Sequence, residues 1–318
     1  MKGAKMTQIR RYAVVDVFTK VPFKGNPVAV VIDGDDISDV AMQAIARWTN
    51  LSETTFVLPP SDGSAHYHLR IFTPSYEMPF AGHPTLGSAH ALLDAGLVTP
   101  TDGQIIQQCG VGQVVITVPD DWRTAGLSFA LPQHTIDPAP EPELLAAALG
   151  GGDFARVPAI VNVGPRWVIG EYANEATVRG LTPDFATLDD YDRRHGTVGQ
   201  TVFAVESADA DSGANAAVHP STGSGRTDHP LAPGLGEGHE RLVVRSFFES
   251  TEDPVCGSGN GSVAAYRLEH GLVARGGHYV ANQGREIGRD GTISVHYGRD
   301  AIHIGGCCVT CVTGTIAF

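Results

Sequence analysis

Positive charge is scarce in this chain: 22 lysines and arginines stand against 35 aspartates and glutamates, a formal net charge of -13. That balance argues against a general nucleic-acid or anionic-membrane surface, since both need clustered Lys and Arg. It leaves room for a local positive pocket that takes an acidic small molecule. No apolar run approaches the ~20 residues that span a bilayer, so no membrane partner is expected. Met1 to Arg11 lack the apolar stretch of a secretory signal, and a cytoplasmic location is expected on that ground. Phosphate-cradling motifs are missing as well. No Gly-x4-Gly-Lys-[Ser/Thr] occurs, and position 262 after Gly257-x-Gly259 is serine, which disfavours a dinucleotide site.

Cysteine is sparse too, at five residues: Cys109, Cys256, Cys307, Cys308 and Cys311. Cys308-Val-Thr-Cys311 has the spacing of a redox or metal motif, with His303 nearby. The run from Ile302 to Val312 reads instead as a β-strand, on which positions three apart point to opposite faces. Small apolar fillers in a terminal strand are the expected reading. No other cluster has metal-ligand spacing, so neither metal nor organic cofactor is expected.

What the chain does have is an internal repeat. Its 318 residues, 42% of them hydrophobic, suffice for two domains. Arg70 to Val98 aligns with Arg245 to Val273 at a constant offset of 175 residues, and eleven of 29 positions are identical. Average composition gives about two by chance. The matches include Arg70/Arg245, Phe72/Phe247, Glu77/Glu252, Pro79/Pro254, Gly82/Gly257 and Ala89/Ala264. One repeat at such range indicates two domains of like fold, not a solenoid of short units.

Each copy reads as a strand, a glycine-containing loop and a helix. In the first, Tyr67 to Phe72 is the strand and Pro84 to Ala95 the helix, with Gly96 as its stop. Leu86, Ala89, His90, Leu93 and Leu97 follow helical spacing. Their small counterparts Gly261, Ala264 and Ala265 suggest a helix packed tightly on a curved sheet. The glycine-rich entry leaves backbone N–H groups free to seat a carboxylate. Elsewhere Tyr12 to Phe18 and Pro27 to Ile32 read as a strand pair, and Ser38 to Asn50 as a helix capped by Ser38. Further strands are expected at Thr54 to Leu58, Gln113 to Val118, Ala159 to Val163, Arg166 to Ile169 and Thr201 to Val205.

Three short stretches could carry chemistry. Glu53, in Asn50-Leu51-Ser52-Glu53-Thr54, lies where a helix gives way to a strand; a glutamate there is ordinarily solvated. His83, in Phe80-Ala81-Gly82-His83-Pro84-Thr85, stands at a helix entry whose positive end holds back protonation; alone, it reads as a local hydrogen-bonding residue. Asp253 and Ser258, in Glu252-Asp253-Pro254-Val255-Cys256-Gly257-Ser258-Gly259, read alone as a turn residue and a helix cap. The repeat changes this balance. It makes His83 and Ser258, and likewise Gly82 and Gly257, equivalent positions of two loops that can face each other across one cleft.

Gly25-Asn26-Pro27, Ser52-Glu53-Thr54, Phe72-Thr73-Pro74, Gly82-His83-Pro84-Thr85 and Asp253-Pro254-x-x-Gly257-Ser258 resemble the successive motifs of the phenazine-biosynthesis PhzF family. The resemblance runs from about Tyr12 to Val118 and resumes from Arg241 to Phe318. It implies an α+β, diaminopimelate-epimerase-like fold of two pseudo-symmetric domains, each a curved mixed sheet around a central helix. Residues 8–128 and 129–318 would be those halves, and the last strand could pack on the first half. The implied activity is an isomerisation that moves a hydrogen on a small carboxylate-bearing substrate without metal or cofactor, and the implied assembly is a homodimer. Glu53 would shuttle the proton, His83 and Asp253 would assist, and Ser258 with Gly82, Gly257 and Cys256 would form the binding loop. Related epimerases and proline racemases use one cysteine from each half; here the counterpart of Cys256 is Ala81, which disfavours a two-thiol racemase. Epimerisation or dehydration next to a carboxylate, and metabolite binding without catalysis, are the competing functions.

The tract from Glu206 to Glu240, rich in Ala, Gly, Ser, Pro and Asp, has no sustained periodicity and reads as a flexible surface insertion. Replacing it with a short turn should change the denaturant midpoint little, because loop-closure entropy varies slowly with length. Loss of folding on that replacement would show that the tract packs as structure.

Overall fold

In the computed structural model, which describes residues 9–206 and 240–318, the strand pair near the N-terminus opens a duplicated sheet. Ile9–Val17 pairs antiparallel with Asn26–Val31, which lies parallel to Glu53–Leu58. That strand is antiparallel to Tyr67–Phe72, which runs parallel to Gln104–Cys109. Gly112–Thr117 and Leu127–Ala130 follow, both antiparallel. The second half repeats the same order and directions with Ala159–Asn162, Arg166–Glu171, Gly199–Val205, Arg241–Phe248, His278–Gln283, Gly291–Tyr297 and Ile302–Gly306.

Backbone pairing also joins the halves. Leu127–Ala130 is antiparallel to Ile302–Gly306. Thr135–Pro138, next along the chain from the first half, pairs with Ala159–Asn162, and Cys308–Ala317 pairs with Ile9–Val17. Here the sequence reading is corrected: the run from Ile302 to Val312 is two strands, not one. The chain passes from one half's sheet to the other's at Cys307. Cys308 is buried and Cys311 half-buried, at a bulge where the register slips opposite Val14 and Val15. All five cysteines are free thiols.

The repeat helices are Gly82–Asp94 and Gly257–Glu269, thirteen residues each and in register at the 175-residue offset. Each is buried nearly all round, as a helix enclosed by a curved sheet must be. Small residues allow the approach: a Cβ on Gly87 would come 2.4 Å from Val28 Cγ1. Outside the sheet, the helix Asp39–Thr49 covers the first half, its N-terminus capped by Ser38. Pro142–Ala148, Glu175–Gly180 and Phe185–His195 cover the second. Between its end residues, the Glu206 to Glu240 tract lies outside the described residues. Among the described residues no helix is long and apolar enough to cross a membrane.

The duplication extends to side chains. Arg70 makes a two-pronged ion pair with Glu77, and Arg245 makes the same pair with Glu252. Each guanidinium also lies 5.1 Å from a phenylalanine ring centre, Phe72 or Phe247. The surroundings differ. Arg70 and Glu77 are 20% and 40% exposed, whereas Arg245 and Glu252 are 7% and 8% exposed. Arg245 Nη1 also donates to the carbonyls of Val178 and Leu181. Removing one partner of a buried pair strands a charge, at about 3–5 kcal/mol, while an exposed pair contributes about 1 kcal/mol or less. Arg245→Ala should therefore lower the denaturant midpoint several times more than Arg70→Ala. Equal losses would mean that burial of the second pair adds nothing.

Candidate active site

The two repeat helices point their N-termini at one another. A Cβ on Gly257 would sit 3.5 Å from the backbone nitrogen of His83. First-turn N–H groups have no partner within a helix, so two sets of donors converge there. Around that point Glu53, Gly82, His83, Asp253, Cys256, Gly257 and Ser258 line one cleft, walled by Tyr76, Met78, Pro165, Trp167, Val198 and Phe248. All seven residues singled out from the sequence are thus brought together.

Local structure explains each placement. Asn50 ends its helix in the left-handed conformation, φ 55°, and the turn after it starts the next strand at Glu53. His83 occupies the first turn of its helix, and its ring is held by a hydrogen bond to the Pro27 carbonyl. Its Nε2 lies 3.3 Å from Glu53 Oε2, without the alignment of a hydrogen bond, and neither atom has another partner. Two unpartnered buried polar atoms side by side are available to a ligand. Cys256 caps the other helix, its sulfur accepting from the Gly259 N–H at 3.2 Å. Its counterpart Ala81 makes no side-chain cap.

Asp253 is held from both halves. Its Oδ1 accepts from the Val255 N–H at 3.0 Å and from Asn26 Nδ2 at 2.9 Å. Asn26 Nδ2 also donates to the Val255 carbonyl. Gln283 braces the same loop through the Asp253 carbonyl, the Cys256 N–H and the Asn260 amide. Asn26 stood in the sequence only within the Gly25-Asn26-Pro27 motif, and nothing there showed that it crosses to Asp253. Trp167 was missed altogether. It is buried, and its Nε1 donates to Ser258 Oγ at 3.1 Å. A tryptophan in a strand reads as core, so no sequence signal marked it.

Burial sets the electrostatics. It lifts the Glu53 carboxyl to about 8, with Asp253 and Glu249 adding like-charge repulsion. Asp253 rises to about 6, mainly by burial, with the Val255 N–H pulling the other way. Burial also pushes the Cys256 thiol well up, which makes it a poor thiolate. His83 is brought down to about 3, chiefly by burial, which keeps the ring neutral as its place at a helix entry also favours. At neutral pH the cleft therefore holds a protonated Glu53, an ionised Asp253 and an uncharged imidazole. Carboxyls with separated affinities suit proton transfer.

Glu53 keeps its proton in the folded chain up to about pH 8, while the ordinary value is 4.5. Its contribution to stability is therefore full below about pH 4.5 and is lost as pH rises through about 8. Glu53→Gln should melt like the unmodified chain near pH 4 and at higher temperature above about pH 8, by about 1.4 kcal/mol for each unit of elevation. Identical melting profiles across that range would show that Glu53 titrates as an ordinary glutamate.

A family model described as phenazine biosynthesis-like protein matches residues 15–223 and 236–314. Antisense-enhancing sequence 1 of Schizosaccharomyces pombe is 33% identical over 320 residues, covering 94% of this chain and 96% of that protein. The trans-2,3-dihydro-3-hydroxyanthranilate isomerase of Pseudomonas aeruginosa is 34% identical over 285 residues, 88% of each chain. A crystal structure of a PhzF-family protein from Bacillus anthracis superposes with a TM-score of 0.77 at 23% identity, covering 97% of this chain and 99% of that one.

Proposed function

The chain belongs to the phenazine biosynthesis-like (PhzF) family and is an isomerase of that family, and we propose that it moves a proton within a small carboxylate-bearing metabolite in the cleft between its halves. The substrate carboxylate sits against the first-turn N–H groups of the two facing helices and the Ser258 hydroxyl. Glu53, in the minor carboxylate form that a value of about 8 leaves near neutral pH, removes a proton from one carbon while the substrate's double bonds shift. As carboxylic acid it returns that proton to another carbon, so the step needs no external reactant. Asp253, anchored by Asn26 and Val255, and neutral His83 hydrogen-bond the substrate's polar groups. By analogy with the Pseudomonas relative, whose name gives its substrate as trans-2,3-dihydro-3-hydroxyanthranilate, the substrate is a cyclic compound of that kind, and neither metal nor organic cofactor enters the step.

The observation that carries this reading is the environment of Glu53: a carboxyl buried in the cleft and lifted to about 8, beside an unpartnered imidazole nitrogen. A general acid–base group works best with an affinity near the operating pH. Epimerisation with Cys256 as a participant is the weaker reading, because that thiol is held protonated and its twin is Ala81. Binding without catalysis is separated from both by turnover.

Glu53→Gln should retain folding and ligand binding and lose at least ~100-fold in turnover, the low end for a general acid–base group. His83→Asn should lose less in turnover and more in binding. Incorporation of deuterium from solvent, followed with trans-2,3-dihydro-3-hydroxyanthranilate, reads both variants. Wild-type exchange and turnover in Glu53→Gln would remove Glu53 from the shuttle role. Inversion at a stereocentre with solvent exchange would favour the epimerase.

A further inference from the structure

Taking the cleft to be the carboxylate site proposed above, we infer that Trp167 is a positioning residue that makes the Ser258 hydroxyl a fixed hydrogen-bond donor to the substrate. The two halves correspond through their strand registers. Thr54 faces Phe72 in one half and Gln200 faces Phe247 in the other, and the repeat makes those phenylalanines equivalent. Glu53 and Gly199, each one residue earlier, therefore hold the same place. Their parallel neighbours are Val28 and Trp167.

In the first half the strand itself supplies the group that meets the helix: Glu53 Oε2 lies 3.3 Å from His83 Nε2. In the second half the equivalent helix residue, Ser258, is met by the indole of the neighbouring strand at 3.1 Å. The strand's own position has been emptied to allow it. A Cβ on Gly199 would lie 2.9 Å from Trp167 Cζ3 and 2.2 Å from the Phe247 carbonyl oxygen. An indole N–H can only donate, so Ser258 Oγ accepts from it and the serine proton must point elsewhere. The hydroxyl also meets Cys256 Sγ at 3.7 Å, where either atom can donate and sulfur is a weak acceptor. A substrate carboxylate or carbonyl oxygen in the cleft is a stronger acceptor than that sulfur, so it draws the serine proton when bound. Without Trp167 the hydroxyl could turn and serve as acceptor or donor alike.

A double-mutant cycle on Trp167→Phe and Ser258→Ala tests this, read by calorimetric binding of 3-hydroxyanthranilate, the aromatic analogue of the ring named above. Each single change should weaken binding by about tenfold, the range of one hydrogen bond to a charged group. The double variant should bind no more weakly than Ser258→Ala alone. Full additivity, or unchanged binding in Trp167→Phe, overturns the role of Trp167 and leaves the site reading standing. Unchanged binding in Ser258→Ala, or no binding by the unmodified chain, removes the site reading and this inference with it. Should Trp167→Phe not fold, the indole N–H resonances of the three tryptophans serve in its place. Saturating ligand should shift the Trp167 signal in the unmodified chain and fail to do so in Ser258→Ala; equal shifts in both overturn the inference.

Discussion

Thr135–Pro138 pairs with the first strand of the second half, and Cys308–Ala317 with the first strand of the first half, so each half is completed by a strand that follows the other. Together with the pairing of Leu127–Ala130 and Ile302–Gly306, these ladders tie the halves through backbone hydrogen bonds. Such bonds fix register as well as proximity. The cleft depends on that constraint. Glu53 and His83 come from one half, Asp253 and Ser258 from the other, and no single helix or loop holds them together. The Asn26 bridge to Asp253 and Val255 can be short because the ladders have already set the distance.

Within this symmetric frame the chemistry is asymmetric. The frame offers each half the same three places: the start of a strand, a helix cap and the residue after the first helical glycine. One half fills them with Glu53, Ala81 and His83, the other with Gly199, Cys256 and Ser258. Burial then separates the groups by affinity rather than by position. Two carboxyls are raised to different degrees, an imidazole is kept neutral and a thiol is kept protonated.

Much of this was legible in the sequence, because the repeat is dense where the helices are. The 175-residue offset placed both helices and both glycine entries, and matched both arginines and both glutamates without showing that they pair. Glu53, His83, Asp253 and Ser258 emerged from short motifs at the edges of those elements. The equivalence of Glu53 and Gly199 did not emerge, since their spacing is 146 residues and the connections between differ in length. Trp167 and Asn26 act through contacts that depend on how strands sit beside one another, which local pattern does not report. The break at Cys307 had a local signal in Gly305-Gly306, glycines that weaken a strand interior, but the strand formers further out on both sides masked it.

The pairing of Ile9–Val17 with Cys308–Ala317 also bears on how the chain comes to be folded. Once made, Ile9–Val17 has one edge served by its hairpin neighbour Asn26–Val31, while its other edge waits for roughly 300 further residues, and contacts so distant in sequence form slowly. Until then the nascent first half carries an open strand edge, the kind of surface that recruits other chains. Completion of the first half's sheet thereby waits on synthesis of the second half. A ribosome that stalls within the second half leaves an N-terminal fragment with an unfilled edge, and such a fragment is a natural client for chaperones or proteases.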